Sequence, residues 1–168
     1  MEGKRVKDSV FITSVVTLPQ DANTAGNVHG GVIMKHIDNA AGVVAVRHGG
    51  YPAVTASIDR IDFHNPVYIG NLITLKACLN MVGSSSMDVG VRVEAEDILK
   101  GEVNHIASAY LTFVAMGADG RTTKVPPLIT ESDAEIRRQR EAGTRKKTRI
   151  SLKEKEKACQ NDFESCEL

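Results

Sequence analysis

One long apolar segment with helical spacing, set among segments that alternate, constrains the fold of this chain most. Residues 31–46 are rich in small side chains, and Ile33, Ile37, Ala41 and Val44 form one stripe at helical spacing. The helix should stop near Gly49-Gly50 and Pro52. One strand-like segment precedes it and four follow it. Because the helix must bury its stripe against another element, this order predicts an α+β fold, with a curved antiparallel sheet of five or six strands wrapped around one long helix.

The strand pattern recurs five times. Alternating, β-branched sequence predicts strands at residues 10–18, 53–63, 73–81, 87–95 and 105–116. The third and fourth should form a hairpin, and the last, which is apolar on both faces, should be central. In the second strand the apolar phase slips between Ile58 and Ile61, which predicts a bulge or an edge irregularity.

Length and composition favour one domain with a charged extension. A chain of 168 residues with 42% hydrophobic content can build one core, and we place a single domain at 1–129 and a charged C-terminal helix and tail at 130–168. Ser132 and Glu135 form a capping box for a short helix. Two interpretations of the tail stay open: a solvated helix followed by a disordered end, or a docking or anion-contact element.

Charge and cysteine content limit the classes of function. Lysine plus arginine equals aspartate plus glutamate at 21 each, so we expect neither nucleic acid nor a membrane as a partner. No run is long enough to cross a bilayer, and the first residues lack the apolar core of a signal peptide. Three cysteines without metal spacing leave an odd thiol, which is typical of a reducing compartment, so we expect a cytoplasmic protein.

The functional signal lies at the start of the predicted helix and inside it. Asp38 borders the apolar stripe, and a carboxylate there is usually hydrogen-bonded, at a subunit seam or catalytic. Asn27 precedes the helix, and His29, Gly30 and Gly31 form a helix start whose free N–H groups can hold an oxyanion. Together these groups favour hydrolysis. Taken singly, each has an ordinary structural interpretation. Asp38 fits an exposed helix residue, Asn27 fits an N-cap or turn residue, and the two glycines allow close packing of the helix.

The stretch that carries these residues resembles a known family. It is similar to the hotdog-fold acyl-CoA hydrolases of the cytosolic type over about residues 8 to 129, without the tail. The resemblance implies that two hotdog domains pair with joined sheets and adjacent helices, and that each active site crosses the seam. The motifs that carry it are Asp21-Ala22-Asn23-Thr24-Ala25-Gly26-Asn27-Val28-His29-Gly30-Gly31, Ala41-Gly42, Arg47-His48, Asp62-Phe63-His64, Gly83-Ser84-Ser85-Ser86-Met87 and Phe113-Val114.

The resemblance also implies an activity: hydrolysis of acyl-CoA thioesters to a fatty acid and coenzyme A, with an Asn before the helix and an acid within it as the catalytic pair. We assign Asp38 as the general base or water-orienting carboxylate and Asn27 as the partner of the water or thioester. The N–H groups near Gly30 and Gly31 form the expected oxyanion site. No cofactor is expected beyond the coenzyme A of the substrate.

Further expectations concern substrate contacts and assembly. The turn formed by Ser84, Ser85 and Ser86 suits pantetheine or phosphate groups, although an ordinary hairpin turn explains it equally well. The five histidines lack metal-ligand spacing and should be structural or exposed. Small residues along the helix predict close packing with a second copy, so we expect at least a dimer, and a trimer of dimers as the full assembly.

Two rival functions stay open. A non-catalytic acyl-CoA or nucleotide sensor would use the same fold without needing both Asn27 and Asp38. An enoyl-thioester hydratase would carry an Asp and a His in the loop before the helix, which this sequence does not match.

Overall fold

Helix α1, Gly30–Gly49, packs against the inner face of a sheet in the computed structural model, which describes residues 1–161. The helix ends at Gly50, whose φ of 71° lies in the left-handed region that favours glycine. The predicted helix and its end are therefore confirmed. Its buried residues are Ile33, Ile37, Ala40, Ala41, Val44, Ala45, His48 and Gly49.

The sheet has five antiparallel strands. They are β2 (Phe11–Val16), β3 (Ala53–Phe63), β4 (Leu72–Val82), β5 (Ser86–Asp97) and β6 (Glu102–Ala115). Their spatial order is β2-β4-β5-β6-β3, which confirms the predicted α+β fold and the β4–β5 hairpin. The last long strand lies inside the sheet, but the middle strand is β5. Two short strands, β1 (Lys4–Arg5) and β7 (Leu128–Ile129), form a separate parallel pair.

Strand β3 lies at one edge of the sheet, and its pairing with β6 is interrupted twice. The register shifts between Thr55 and Ser57 and again between Ile58 and Arg60. From Thr55 to Arg60, β3 advances five positions while β6 advances only three. The second shift confirms the predicted bulge. Each bulge leaves a residue without its ladder partner and bends the strand.

Helix α2, Asp133–Asn161, is much longer than the predicted short helix. The predicted capping box is present: Ser132 Oγ accepts from the Glu135 N–H, and the Glu135 carboxylate accepts from the Ser132 N–H, both at 3.3 Å. The helix continues beyond its first turns because the residues after the capping box are good helix formers and because the helix packs on the sheet. The expected disordered end falls on residues 162–168, outside the described part of the chain. No helix among the described residues is apolar over the length that a membrane crossing requires.

Two arginines attach α2 to the outer face of the sheet, opposite α1. Arg145 Nη2 donates to Asp88 Oδ1 at 2.9 Å, and its guanidinium lies 3.8 Å from the centroid of the Tyr110 ring. Arg149 Nη1 lies 2.6 Å from both carboxylate oxygens of Asp59. Because Asp88 is buried and the Asp59 side chain is only 9% exposed, removing one partner of either pair is expected to destabilise the fold by about 3–5 kcal/mol. This part of the tail is thus packed rather than solvated.

Candidate active site

The first turn of α1 offers one free backbone donor. His29 is the N-cap, and its Nδ1 accepts from the Gly31 N–H at 2.9 Å. The Val32 N–H donates to the His29 carbonyl at 2.9 Å. Within the described residues, the Gly30 N–H donates to no protein group. Of the predicted oxyanion donors, the Gly31 N–H is therefore already engaged and the Gly30 N–H is available.

The loop before α1 is folded around Asn23. Its N–H donates to the Asn27 carbonyl at 2.7 Å, and its Oδ1 accepts from the N–H groups of Ala25 at 2.8 Å and Asn27 at 3.4 Å. Gly26 completes the turn with a φ of 83°. In the described part of the chain, Nδ2 of Asn23 has no protein acceptor. This amide nitrogen is free to donate to a ligand.

A cleft of about 340 Å³ lies in front of the helix start. Both asparagines of the loop line it, together with Gly30 and the end of β3 at Phe63 and His64. Asn27 is not the N-cap, since His29 holds that position. The Asn27 side-chain oxygen is buried and finds no donor among the described residues, so it is a second polar atom available to a ligand in the cleft.

Asp38 is paired with a hydroxyl of β3. Thr55 Oγ1 donates to Asp38 Oδ1 at 2.6 Å, and we refer to these two groups as the carboxylate–hydroxyl pair. Asp38 is half-buried. Sequence reasoning missed Thr55 because only the packing of β3 beside α1 brings it to Asp38. The only sequence feature that pointed to Thr55 was a hydroxyl residue in the strand after the helix, which is a weak indication.

The carboxylate–hydroxyl pair and the cleft are separate within one chain. Asp38 is eight residues beyond Gly30, which corresponds to about 12 Å along the helix axis at 1.5 Å per residue. Asp38 does not line the cleft that contains Asn23 and Asn27. Within one chain, Asp38 and the polar groups of the cleft are therefore too far apart to contact the same atom of a ligand.

An apolar margin borders the carboxylate–hydroxyl pair. Met34 and Val46 of α1 are 42% and 44% exposed, and Val54 and Ile58 of β3 are 51% and 48% exposed. Among the described residues, β3 has β6 as a neighbour on one side only. An 11-residue edge strand with apolar side chains is a template for pairing with another chain.

The serine turn lies at the same end of the sheet as the carboxylate–hydroxyl pair. Ser86 pairs with Val114, and Val114 pairs with Val54, the neighbour of Thr55 in sequence. The turn is thus two strand spacings, about 10 Å, from the pair. The carbonyl groups of Ser84 and Ser85 accept backbone N–H groups at 3.0 and 2.9 Å, which fixes the turn.

The histidines occupy structural and surface positions. His48 is fully buried, and its Nε2 lies 2.8 Å from the Pro126 carbonyl oxygen. Burial lowers the pKa of His48, which favours the neutral ring. The rings of His64 and His105 lie 4.9 Å apart, with His64 at the cleft. No group of three or more potential metal ligands occurs in the part of the chain that the structure describes.

Comparison with known proteins identifies the family. A model of the thioesterase superfamily matches residues 25–102. A Bacillus subtilis protein named as an uncharacterized acyl-CoA thioester hydrolase is 33% identical over 160 residues, which are 95% of this chain and 93% of the relative. This chain belongs to the acyl-CoA thioester hydrolase family. The human cytosolic acyl coenzyme A thioester hydrolase is 38% identical over 122 residues, which are 71% of this chain and 32% of the human protein.

Solved structures of acyl-CoA thioester hydrolases share the fold, which confirms the predicted hotdog architecture. The Staphylococcus aureus acyl-CoA hydrolase, in complex with butyryl coenzyme A, coenzyme A and coenzyme A disulfide, has a TM-score of 0.87 and 31% identity, covering 95% of this chain and 98% of that one. An apo-hexameric acyl-CoA thioesterase has a TM-score of 0.87 and 32% identity, and the match covers 90% of this chain and 97% of that one.

Three more structures are alanine mutants of the S. aureus hydrolase, changed at an Asn, an Asp and a Thr. In that enzyme the Asp follows the Asn by 15 positions, and the Thr follows the Asp by 17. In the present chain, Asn23, Asp38 and Thr55 have the same separations.

Proposed function

We propose that this chain hydrolyses acyl-CoA thioesters to a fatty acid and coenzyme A, in sites that each combine the helix start of one subunit with Asp38 and Thr55 of another. The observation that carries the proposal is the 2.6 Å hydrogen bond from Thr55 to Asp38. It orients a half-buried carboxylate at the exposed margin where a second copy would pack.

Asp38 acts as the general base. The Thr55 hydroxyl occupies Oδ1, so Oδ2 faces the attacking water. A carboxylate held in one orientation positions the water without reorganisation during the reaction. Thr55 is therefore a positioning residue that acts through Asp38.

Asn23, rather than Asn27, is the amide that holds the thioester carbonyl. Its free Nδ2 donor and the Gly30 N–H both belong to the helix start. The matching separations in the S. aureus mutants support the same choice. Asn27 keeps a smaller role, since its buried oxygen can accept from the water or from an amide of the substrate.

The reaction is a direct hydrolysis. Water attacks the carbonyl carbon while its proton passes to Asp38, and the oxygen of the tetrahedral intermediate is held by the Gly30 N–H and the Asn23 amide. The carbon–sulfur bond then breaks, and the proton returns from Asp38 to the sulfur of coenzyme A. These steps require no nucleophilic side chain and no cofactor. The serine turn remains the proposed contact for the pantetheine or phosphate groups.

A two-fold dimer brings the two regions together. Pairing β3 with β3 of a second copy would cover the exposed apolar margin and place two antiparallel α1 helices side by side. If the two-fold axis passes midway between Gly30 and Asp38, the N-terminal halves of the two antiparallel helices overlap. Asp38 of each helix then lies beside the start of the other, which compensates for the separation of about 12 Å within each chain. The hexameric relative supports a trimer of dimers, and the cytosolic relative supports a cytoplasmic location.

A thiol-release assay tests the proposal. Purified chain is incubated with acyl-CoAs of increasing chain length and a reagent that detects free thiols. We expect release of coenzyme A that is saturable in substrate and greatly reduced in an Asp38→Asn control. Tight binding of acyl-CoA without thiol release would instead identify a sensor.

A further inference from the structure

Along β3, the side chains of Thr55 and Asp59 point to opposite faces of the sheet. In a regular strand, Thr55 and Asp59 would point to the same side of the sheet. Here Thr55 donates to α1 on the inner face, while Asp59 accepts from Arg149 of α2 on the outer face. The register shift between Thr55 and Ser57 produces this switch. The direction of the Thr55 side chain thus depends on the conformation of the bulged segment.

Side-chain contacts to α2 hold the bulged segment. The two register shifts remove ladder hydrogen bonds between β3 and β6 at this point, and β3 is an edge strand. Arg149 Nη1 lies 2.6 Å from both oxygens of Asp59, and the Ser57 hydroxyl donates to Asp59 Oδ1 at 3.4 Å. The Arg149 and Asp59 side chains are only 18% and 9% exposed, so water screens the pair weakly.

We propose that the Arg149–Asp59 ion pair is a positioning device for catalysis: α2 fixes the bulge from the outer face, so that Thr55 meets Asp38 on the inner face. The inference rests on the proposed function, because Thr55 matters for turnover only if Asp38 is the base. It gives the C-terminal helix an indirect role in catalysis, through the bulge of β3 and Thr55.

The chain offers a matched control on the same helix. Arg145 and Asp88 form an ion pair with similar exposure, 19% and 4%, and a distance of 2.9 Å. Asp88 lies on β5, where its pairing with Thr112 of β6 is regular. The nearby register shift, between Leu79 and Met81, is on the side of β4 and away from β3. Loss of this pair should weaken the attachment of α2 without disturbing the bulge.

The experiment compares two double variants that remove both charges and so leave no unpaired charge behind. In Asp59→Asn/Arg149→Met we expect kcat to fall roughly 5- to 10-fold with little change in KM, the size of effect produced by a small misplacement of a reacting group. In Asp88→Asn/Arg145→Met, kcat should stay within about 2-fold of wild type at a comparable loss of thermal stability. Equal losses of kcat in the two variants would overturn the inference.

Repeating the substitutions in a Thr55→Val variant tests whether the ion pair acts through Thr55. If Arg149 and Asp59 act only through Thr55, their double substitution lowers kcat no further in that background. Independent, multiplicative losses would contradict the inference. A crystal structure of the Asp59→Asn/Arg149→Met variant gives a readout besides activity: we expect the Thr55–Asp38 hydrogen bond to be broken, and an unchanged distance would overturn the inference. A wild-type chain that releases no thiol would instead refute the proposed function.

Discussion

The helix start and the carboxylate–hydroxyl pair are built in opposite ways. The helix start is made of near neighbours in sequence, from Asn23 to Gly31, and its contacts are mostly backbone hydrogen bonds. The pair joins two side chains from different elements, and a bulge held by α2 orients one of them. In the proposed reaction, the first region presents fixed donors for the thioester oxygen, and the second supplies the group that accepts a proton. The difference implies that the second region should respond more to substitutions in distant parts of the chain.

The largest expected effect comes from Asp38→Asn. The amide keeps the size of the carboxylate but cannot take a proton from water, so kcat should fall on the order of 100-fold or more. Thermal unfolding of the purified variant should match that of wild type. Turnover near the wild-type rate would remove Asp38 from the reaction.

Mixing two inactive variants tests whether the two regions come from different subunits. Asn23→Ala chains keep Asp38, and Asp38→Asn chains keep Asn23. Each heterodimer then holds one intact site and one with neither residue, so activity should recover to at most about half of wild type per dimer. Mass spectrometry confirms that subunits exchanged. If exchange occurs and activity does not recover, each site draws both residues from one chain.

The two asparagines of the loop should differ in effect. Asn23→Ala removes a donor to the thioester oxygen, and we expect kcat to fall on the order of 10- to 100-fold. Asn27→Ala removes an amide that no hydrogen bond among the described residues holds in one orientation, so we expect a loss of roughly 3-fold or less. Steady-state kinetics of the two variants at saturating acyl-CoA measures the ranking. The reverse order would make Asn27 the principal amide.

Thr55→Val should have a smaller effect than Asp38→Asn, because it removes the group that orients the carboxylate and leaves the carboxylate in place. Valine preserves the shape of threonine but cannot donate to Asp38, so the carboxylate loses its fixed orientation and kcat should fall about 10-fold. Thr55→Ser restores the hydroxyl and should recover most of the rate. A serine variant as impaired as the valine variant would mean that packing, rather than the hydrogen bond, is what matters at this position.

The sequence predicted the features that depend on local pattern. Helix α1, its end at Gly50, the β4–β5 hairpin and one bulge of β3 follow from periodicity and glycine placement. The partner of Asp38 could not be predicted, since Thr55 reaches it only after β3 packs beside the helix. The sequence left two interpretations of the tail open, because a charged sequence does not reveal that Asp59 and Asp88 lie beneath α2 with side chains only 9% and 4% exposed.

The choice between Asn23 and Asn27 depends on hydrogen bonds that composition cannot show. Both residues lie in the same loop and line the same cleft. Only the structure reveals that two backbone N–H groups of the loop hold the Asn23 side chain by its oxygen, whereas the Asn27 side-chain oxygen has no donor among the described residues.

The distance between Asp38 and the start of its own helix has a consequence for how the enzyme responds to its own abundance. If every working site needs two chains, dilution below the dimer dissociation constant lowers the fraction of chains that form sites as well as the number of chains. Total activity then rises with the square of chain concentration when dimers are scarce, and in direct proportion when they are abundant. A cell that lowers expression would lose hydrolysis faster than it loses protein.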